Sequence, residues 1–399
     1  MARHVVIIGG GSGGTILANS LDAREFAVTV VSDAAQHLFQ PALLYVAFKN
    51  DRAHFVRDER TLLSRHVHLV QDTVTQVDLG ERVVVTSSGP HLVYDDLVIA
   101  TGITTNPSEI PGLSELDAEF GNYHSTLDAA RRLWSKVDAF QGGTIVLGQS
   151  SPICKCPPSP VEGILLVDEL LRRRKLRNQA QLVFFTPYPR AYPAEPMNQV
   201  IEPILRERGI EIRTFFDVDR IDPSTRTIFS IEGEQISYDL PIVIPPFVGA
   251  AISYTPDVLD PSRFVMTEKR SLRVQGVEHA YAIGDGANLP TSKSGVGAHL
   301  QAKVVAKQLR GLPASFNGRT HCPVDLADGR GSFVIGSFDA PVVKLAPSRL
   351  RHLMKAMFSR IYWLSLRGVL EPAFDAYFKM TEPKARAKTP STPEPAAKT

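Results

Sequence analysis

The chain carries only three cysteines and two tryptophans in 399 residues, and no apolar run long enough to cross a bilayer. Three thiols allow at most one internal bridge with one left over. That excludes a disulfide-stapled scaffold, and in a reducing compartment such a bridge belongs more often to catalysis than to structure. The most apolar stretch, LPIVIPPFVGAAI from Leu240 to Ile252, is short and broken by prolines, so no spanning helix is expected. An excess of one charge is lacking too. Lys and Arg number 44 against 42 Asp and Glu, for a net charge of +2, and no basic run is interleaved with aromatics, so nucleic acid is not an expected partner. The opening MARHVVIIGGG has no charged segment followed by an apolar core and a cleavage site, so an export signal is not expected. No metal site is expected either.

What is present is a dinucleotide-type unit stated twice. In RHVVIIGGGSGGTILANSL a β-rich run leads to Gly9, Gly11 and Gly14 at G-x-G-x-x-G spacing, and a helical pattern follows. Gly9 suits the tight turn, Gly11 lets a pyrophosphate approach the backbone, and Gly14 lets helix pack on strand, with the helix N-terminus facing the phosphates. The next β-rich run, FAVTVVSD, ends at Ser32 and Asp33, the candidate ribose ligands. Ser32 holds the usual carboxylate position and Asp33 lies one step late, so Asp33 also reads as a solvated strand end. The second unit starts with TIVLG but continues as Gln149, Ser150, Ser151, Pro152 and Ile153, and its next strand ends in Thr186, Pro187 and Tyr188. Side chains and prolines there block the backbone approach a pyrophosphate needs, so this unit keeps the fold and loses a nicotinamide coenzyme. Arg190 reads as a surface residue rather than a phosphate ligand.

Two segments resemble signatures of the two-dinucleotide-domain flavoproteins: YDDLVIATGITTNP, with Thr101 and Gly102, and VEHAYAIGDGANLP, with Gly284 and Asp285. The resemblance implies FAD as cofactor. It places Asp285 at the ribityl or phosphate region and directs the helix starting near Gly295 at the flavin, where negative charge develops on reduction. KCPPSPVE, TSKSG, YDLPIVIPPFVGA and HCPVDLADGRGSFVIGSF together resemble the sulfide:quinone oxidoreductase and flavocytochrome c sulfide dehydrogenase families. That likeness implies a redox Cys156 partnered by Cys322, a proton-handling Glu162, and Lys293 beside the reduced flavin. It implies hydrosulfide as substrate and a membrane quinone as electron acceptor. Some members have a third cysteine where this chain has Ser125. Cys154 has no counterpart and reads as a small buried hydrophobe, with a local C-x-C couple as the alternative.

The stretch Pro347–Gly368 sets Leu350, Leu353, Met354, Met357, Phe358, Ile361 and Leu364 at helical spacing, with Arg349, Arg351, His352, Lys355, Arg360 and Arg367 off that stripe or flanking it. Such a helix either docks on the core or lies in the headgroup plane of an anionic membrane; the family likeness favours the membrane. The expected organisation is α/β. A discontinuous FAD domain occupies 1–107 and 240–320, and a degenerate Rossmann-like domain carrying the redox cysteine occupies 108–239. A C-terminal membrane and quinone region spans 321–380, and a polar, Pro-rich disordered tail spans 381–399. A peripheral protein on the cytoplasmic face is expected, with homo-oligomerisation left open. Three rivals remain: a type 2 NADH:quinone oxidoreductase, a flavocytochrome-type subunit and a non-enzymatic redox sensor.

Overall fold

The structure is a computed structural model that describes residues 2–381 apart from Pro90. The first unit runs β1 (Arg3–Ile8), α1 (Ser12–Ser20), β2 (Phe26–Ser32), α2 (Leu43–Lys49), β3 (His68–Gln71) and β4 (Asp96–Ile99). The second runs β5 (Gly143–Gln149), α3 (Ser159–Arg173), β6 (Ala180–Phe185), β7 (Ile210–Arg213) and β8 (Leu240–Ile244). The chain then returns to the first unit through β9 (Ala280–Ala282) and α4 (Gly295–Leu309). It ends in β10 (Thr320–Asp325), β11 (Gly331–Gly336), α5 (Arg349–Leu366) and α6 (Glu371–Met380).

Both central sheets are parallel, which explains why their strands read as continuous apolar runs rather than alternating ones: each is covered on both faces. The first has the order β9-β4-β1-β2-β3, with Val5 opposite Val28 and Asp96. The second has the order β7-β6-β5-β8. Ile145 on β5 pairs with Leu240 on β8, so the strand at 240–244 belongs to the second sheet. The return to the first unit therefore lies after Ile244, not at 240 as the sequence suggested. Its run LPIVI reads alike in either sheet, and only pairing decides.

The ending is woven into both cores. Tyr362, Trp363 and Leu366 of α5 are buried in the core of the first sheet, while Cys322 and Val324 of β10 share a core with α2 and α3. No described helix is long and apolar enough to cross a membrane. The expected disordered tail lies outside the described residues, except for Thr381.

Candidate active site

The glycine loop is built as its spacing requires. Gly9 sits at φ +107°, and a Cβ there would lie 2.4 Å from the Ala100 carbonyl oxygen; a Cβ on Gly14 would lie 2.0 Å from that of Gly9. These two positions are closed by packing. A Cβ on Gly11, Gly102 or Gly295 would meet no protein atom within 4 Å, so one glycine from each of three motifs borders open space. That is the cradle a dinucleotide needs, since its pyrophosphate must touch backbone. Thr101 lines the same region, its Oγ1 close to Gly286, and Gly284 donates its N–H to Gln301 Oε1 at 2.6 Å. Ser32 is buried and faces the loop, whereas Asp33 is exposed at the strand end.

A second carboxylate, which the sequence did not single out, lies under that loop. Glu59 is buried, accepts hydrogen bonds from Thr15 Oγ1 at 2.7 Å and lies 3.0 Å from His37 Nδ1. His37 Nε2 and Ser12 Oγ both lie 2.6 Å from the Tyr362 hydroxyl. Thus α5 is tied to the dinucleotide loop. In DERTLL, Glu59 looks like a solvated helix start, and only tertiary packing turns it inward.

Residues Thr291, Ser292, Lys293 and Ser294 form a wall of the cleft that also holds Gly284 and Asp285. Lys293 reaches back along this wall: its ammonium donates to the carbonyls of Asp285 at 2.5 Å and Ala287 at 3.3 Å, and sits 4.1 Å from the Phe264 ring centroid. Burial pushes the Lys293 ammonium below its usual range, with the Asp285 carboxyl opposing. Burial pushes Asp285 up, with Lys155 and Lys293 opposing.

Both candidate redox cysteines hang on that wall. The Cys156 N–H donates to the Lys293 carbonyl at 2.8 Å, and Cys322 Sγ lies 3.1 Å from Ser292 Oγ. Cys156 has φ +58°, a left-handed conformation that costs an L-residue about 1–2 kcal/mol. The prolines after it have a plain role. Pro158 and Pro160 open α3, where a missing N–H is harmless and φ is preset, so the turn places Cys156 at a helix N-terminus. All three cysteines are free thiols. Burial raises Cys156 well above the usual thiol range, and Glu162 adds to this while Lys355 opposes. Burial also raises Cys322, but hydrogen bonds with Ser292 and Ser294 offset part of the rise. Cys154 is buried in the apolar core and donates to the Lys155 carbonyl at 3.3 Å.

Glu162, in the first turn of α3, is fully enclosed. It accepts from the Asp325 N–H and from Lys355 Nζ, so the lysine expected on a solvated flank instead points inward from α5. The exposed apolar positions of α5 are Leu350, Leu353, Met357 and Leu364. Met354, Phe358 and Ile361 are half-buried, and exposed Arg360 falls on the stripe itself, so the face is narrower than the spacing suggested.

In the second unit the turn is filled. Gln149 Nε2 donates to the Ser151 carbonyl at 2.9 Å, Ser150 Oγ donates to the Ile244 carbonyl at 2.8 Å, and the Tyr188 hydroxyl donates to the Pro152 carbonyl. Arg190 pairs with Glu195 at the surface, as expected. No group of His, Cys and acidic residues among the described residues could hold a metal ion.

Two parallel-sheet units, an open glycine cradle and thiols beside it define a flavin-dependent oxidoreductase of the two-dinucleotide-domain class, and residues 3–150 match the family described as pyridine nucleotide-disulphide oxidoreductase. The mitochondrial sulfide:quinone oxidoreductase of Mus musculus is 26% identical over 393 residues, covering 92% of this chain and 86% of that protein. Its counterpart from Dictyostelium discoideum is 25% identical over 387 residues, covering 90% and 84%. The solved sulfide:quinone oxidoreductase of Aquifex aeolicus superposes with a TM-score of 0.82 at 20% identity, covering 95% of both chains. Over 90% or more of its length the chain is similar to sulfide:quinone oxidoreductases, and its cofactor is FAD.

Proposed function

We propose that the chain oxidises hydrosulfide and delivers the electrons to a membrane quinone, with Cys156 and Cys322 as the sulfur-handling pair. The observation that carries this reading is the attachment of both cysteines to neighbouring residues, Ser292 and Lys293, of the wall that closes the cofactor cleft. In the oxidised enzyme the two sulfurs are bridged. Hydrosulfide attacks the Cys156 sulfur, a new S–S bond forms as the old one breaks, and Cys322 leaves as a thiolate while Cys156 holds the persulfide. Cys322 is the better leaving group because Ser292 and Ser294 stabilise its anion, whereas Cys156 faces the Glu162 carboxylate. Glu162 takes up and releases the accompanying proton. The groups that would hold FAD are Gly11, Gly102, Gly284, Asp285 and the N-terminus of α4, and Ser32 and Asp33 would serve its ribose; Lys293 orders the Asp285 turn and adds positive charge. When bound, FAD supplies a two-electron acceptor beside the thiols.

The outward face of α5 supports a membrane-side approach for the electron acceptor. Leu350 is 67% exposed and Met357 51%, with Arg349, Arg360 and Arg367 also in solvent. A helix with this distribution, anchored inward by Tyr362, Trp363 and Leu366, rests on an anionic bilayer, giving a peripheral protein. A nicotinamide donor is disfavoured because Gln149, Ser150 and Tyr188 occupy the second turn.

Anaerobic mixing of the FAD-loaded protein with hydrosulfide, and separately with NADH, tests the reading. Hydrosulfide is expected to bleach the flavin and NADH to leave it yellow; bleaching by NADH alone would sink the proposal.

A further inference from the structure

The carboxyl group six positions after Cys156 is served by an element far along the chain. Lys355 Nζ on α5 and the backbone N–H of Asp325 on β10 donate to the same oxygen, Glu162 Oε1. Lys355 is itself enclosed, its ammonium 5.8 Å from the ring centroid of Tyr45 on α2. Asp325 accepts from the Tyr45 hydroxyl at 3.2 Å and lies 3.5 Å from Nδ1 of His352, about one turn before Lys355 on α5. The remaining titratable groups that sense Glu162 are Cys156, Cys322, Tyr123 and Tyr192.

A carboxylate enclosed in this way holds its charge only if a cation or donors compensate; otherwise it takes a proton. Burial pushes the Glu162 carboxyl up, and the Lys355 ammonium and the Asp325 N–H oppose that rise. Burial tends to strip the proton from Lys355, but Glu162 overrides it and holds the lysine charged. The helix that supplies this cation is the one that turns its apolar stripe outward.

We propose that Lys355 is a positioning residue of the thiol site: seated with α5, its ammonium keeps Glu162 ionised and fixed against β10 beside Cys156, so hydrosulfide chemistry depends on the C-terminal helix being in place. This rests on the reading of Cys156 and Glu162 as the hydrosulfide machinery.

The test uses the full-length, FAD-loaded chain as wild type, Lys355→Met, Lys355→Arg and Glu162→Gln. Difference infrared spectroscopy follows the protonated-carboxyl band that Glu162→Gln removes, and stopped-flow bleaching by hydrosulfide is recorded against pH. Without the cation, Glu162 is expected to titrate about 1–3 pH units higher in Lys355→Met. The acid limb of the bleaching profile should move up with it, because the ionised form then exists only at higher pH. Lys355→Arg should match the wild type. If Lys355→Met fails to hold FAD, Lys355→Gln, which can keep a hydrogen bond without the charge, is read the same way. Titration of Glu162 at one pH in the wild type and the neutral variants overturns the proposal. A wild type that hydrosulfide does not bleach removes the functional reading, while the infrared comparison still decides the role of Lys355.

Discussion

Cys156 combines three conditions that a resting structural residue avoids: a left-handed backbone, burial of an ionisable sulfur and a carboxyl group nearby. Cys156→Gly removes the backbone strain and is expected to stabilise the fold by about 1 kcal/mol, visible as a rise in Tm, while abolishing hydrosulfide-driven bleaching. A lower Tm in that variant would refute the strain argument. Cys156→Ala and Cys322→Ala should each abolish the bleaching with FAD still bound, because a covalent step is lost. Cys154→Ala should keep most of the rate, its thiol being turned to the Lys155 carbonyl rather than to Ser292 as Cys322 is; an inactive Cys154→Ala that still holds FAD would instead favour a couple between Cys154 and Cys156. Glu162→Gln is expected to slow bleaching about 10²–10⁴-fold, the usual weight of a proton-transfer group. The motif glycines were legible in the sequence because a tight turn and close packing demand that residue type at a fixed spacing, whereas the cysteine pair was legible only through the family resemblance. Glu59 and Lys355 were not, because a charged side chain in a polar stretch reads as solvated until a distant element covers it.

On α5, periodicity correctly gave a helix and its apolar side, but not how far it is built in. Spacing alone could not tell Leu350, which is exposed, from Trp363 and Leu366, which are buried in the first core. Deleting the chain from Pro347 onward would therefore not isolate membrane binding, since it removes Tyr362 from the dinucleotide loop and Lys355 from Glu162. Trp363→Ala alone is expected to cost about 3–5 kcal/mol of stability. The cleaner variant replaces Leu350, Leu353, Met357 and Leu364 with Ser. It should bind FAD and be bleached by hydrosulfide as the wild type is, yet fail to sediment with anionic liposomes. Full sedimentation of the fourfold variant would place the membrane contact elsewhere.

Across the whole molecule, two buried histidines set an acid limit. Burial lowers His124 to about 3 and His321 to about 4, from an unfolded value near 6.5. Their neutral forms are favoured by the fold, so the stability they contribute is complete above pH 6.5 and is lost as pH falls towards those values. Between pH 7 and pH 5 the unfolding free energy is expected to drop by roughly 2 kcal/mol for each, read from denaturant midpoints at the two pH values. A flat profile would show that neither histidine must stay neutral. At this scale the sequence disclosed both parallel-sheet units through their apolar runs, but it misplaced the crossing at 240, because LPIVI has the same character in whichever sheet it joins. On the proposed function, the filled turn of the second unit makes the fold a one-way conductor. With Gln149, Ser150 and Tyr188 hydrogen-bonded into that turn, electrons drawn from sulfur have, on that reading, no short circuit into the soluble pyridine pool and a single exit, towards the quinone. Reopening that path would take several coordinated changes rather than one, which keeps the two electron economies of the cell separate.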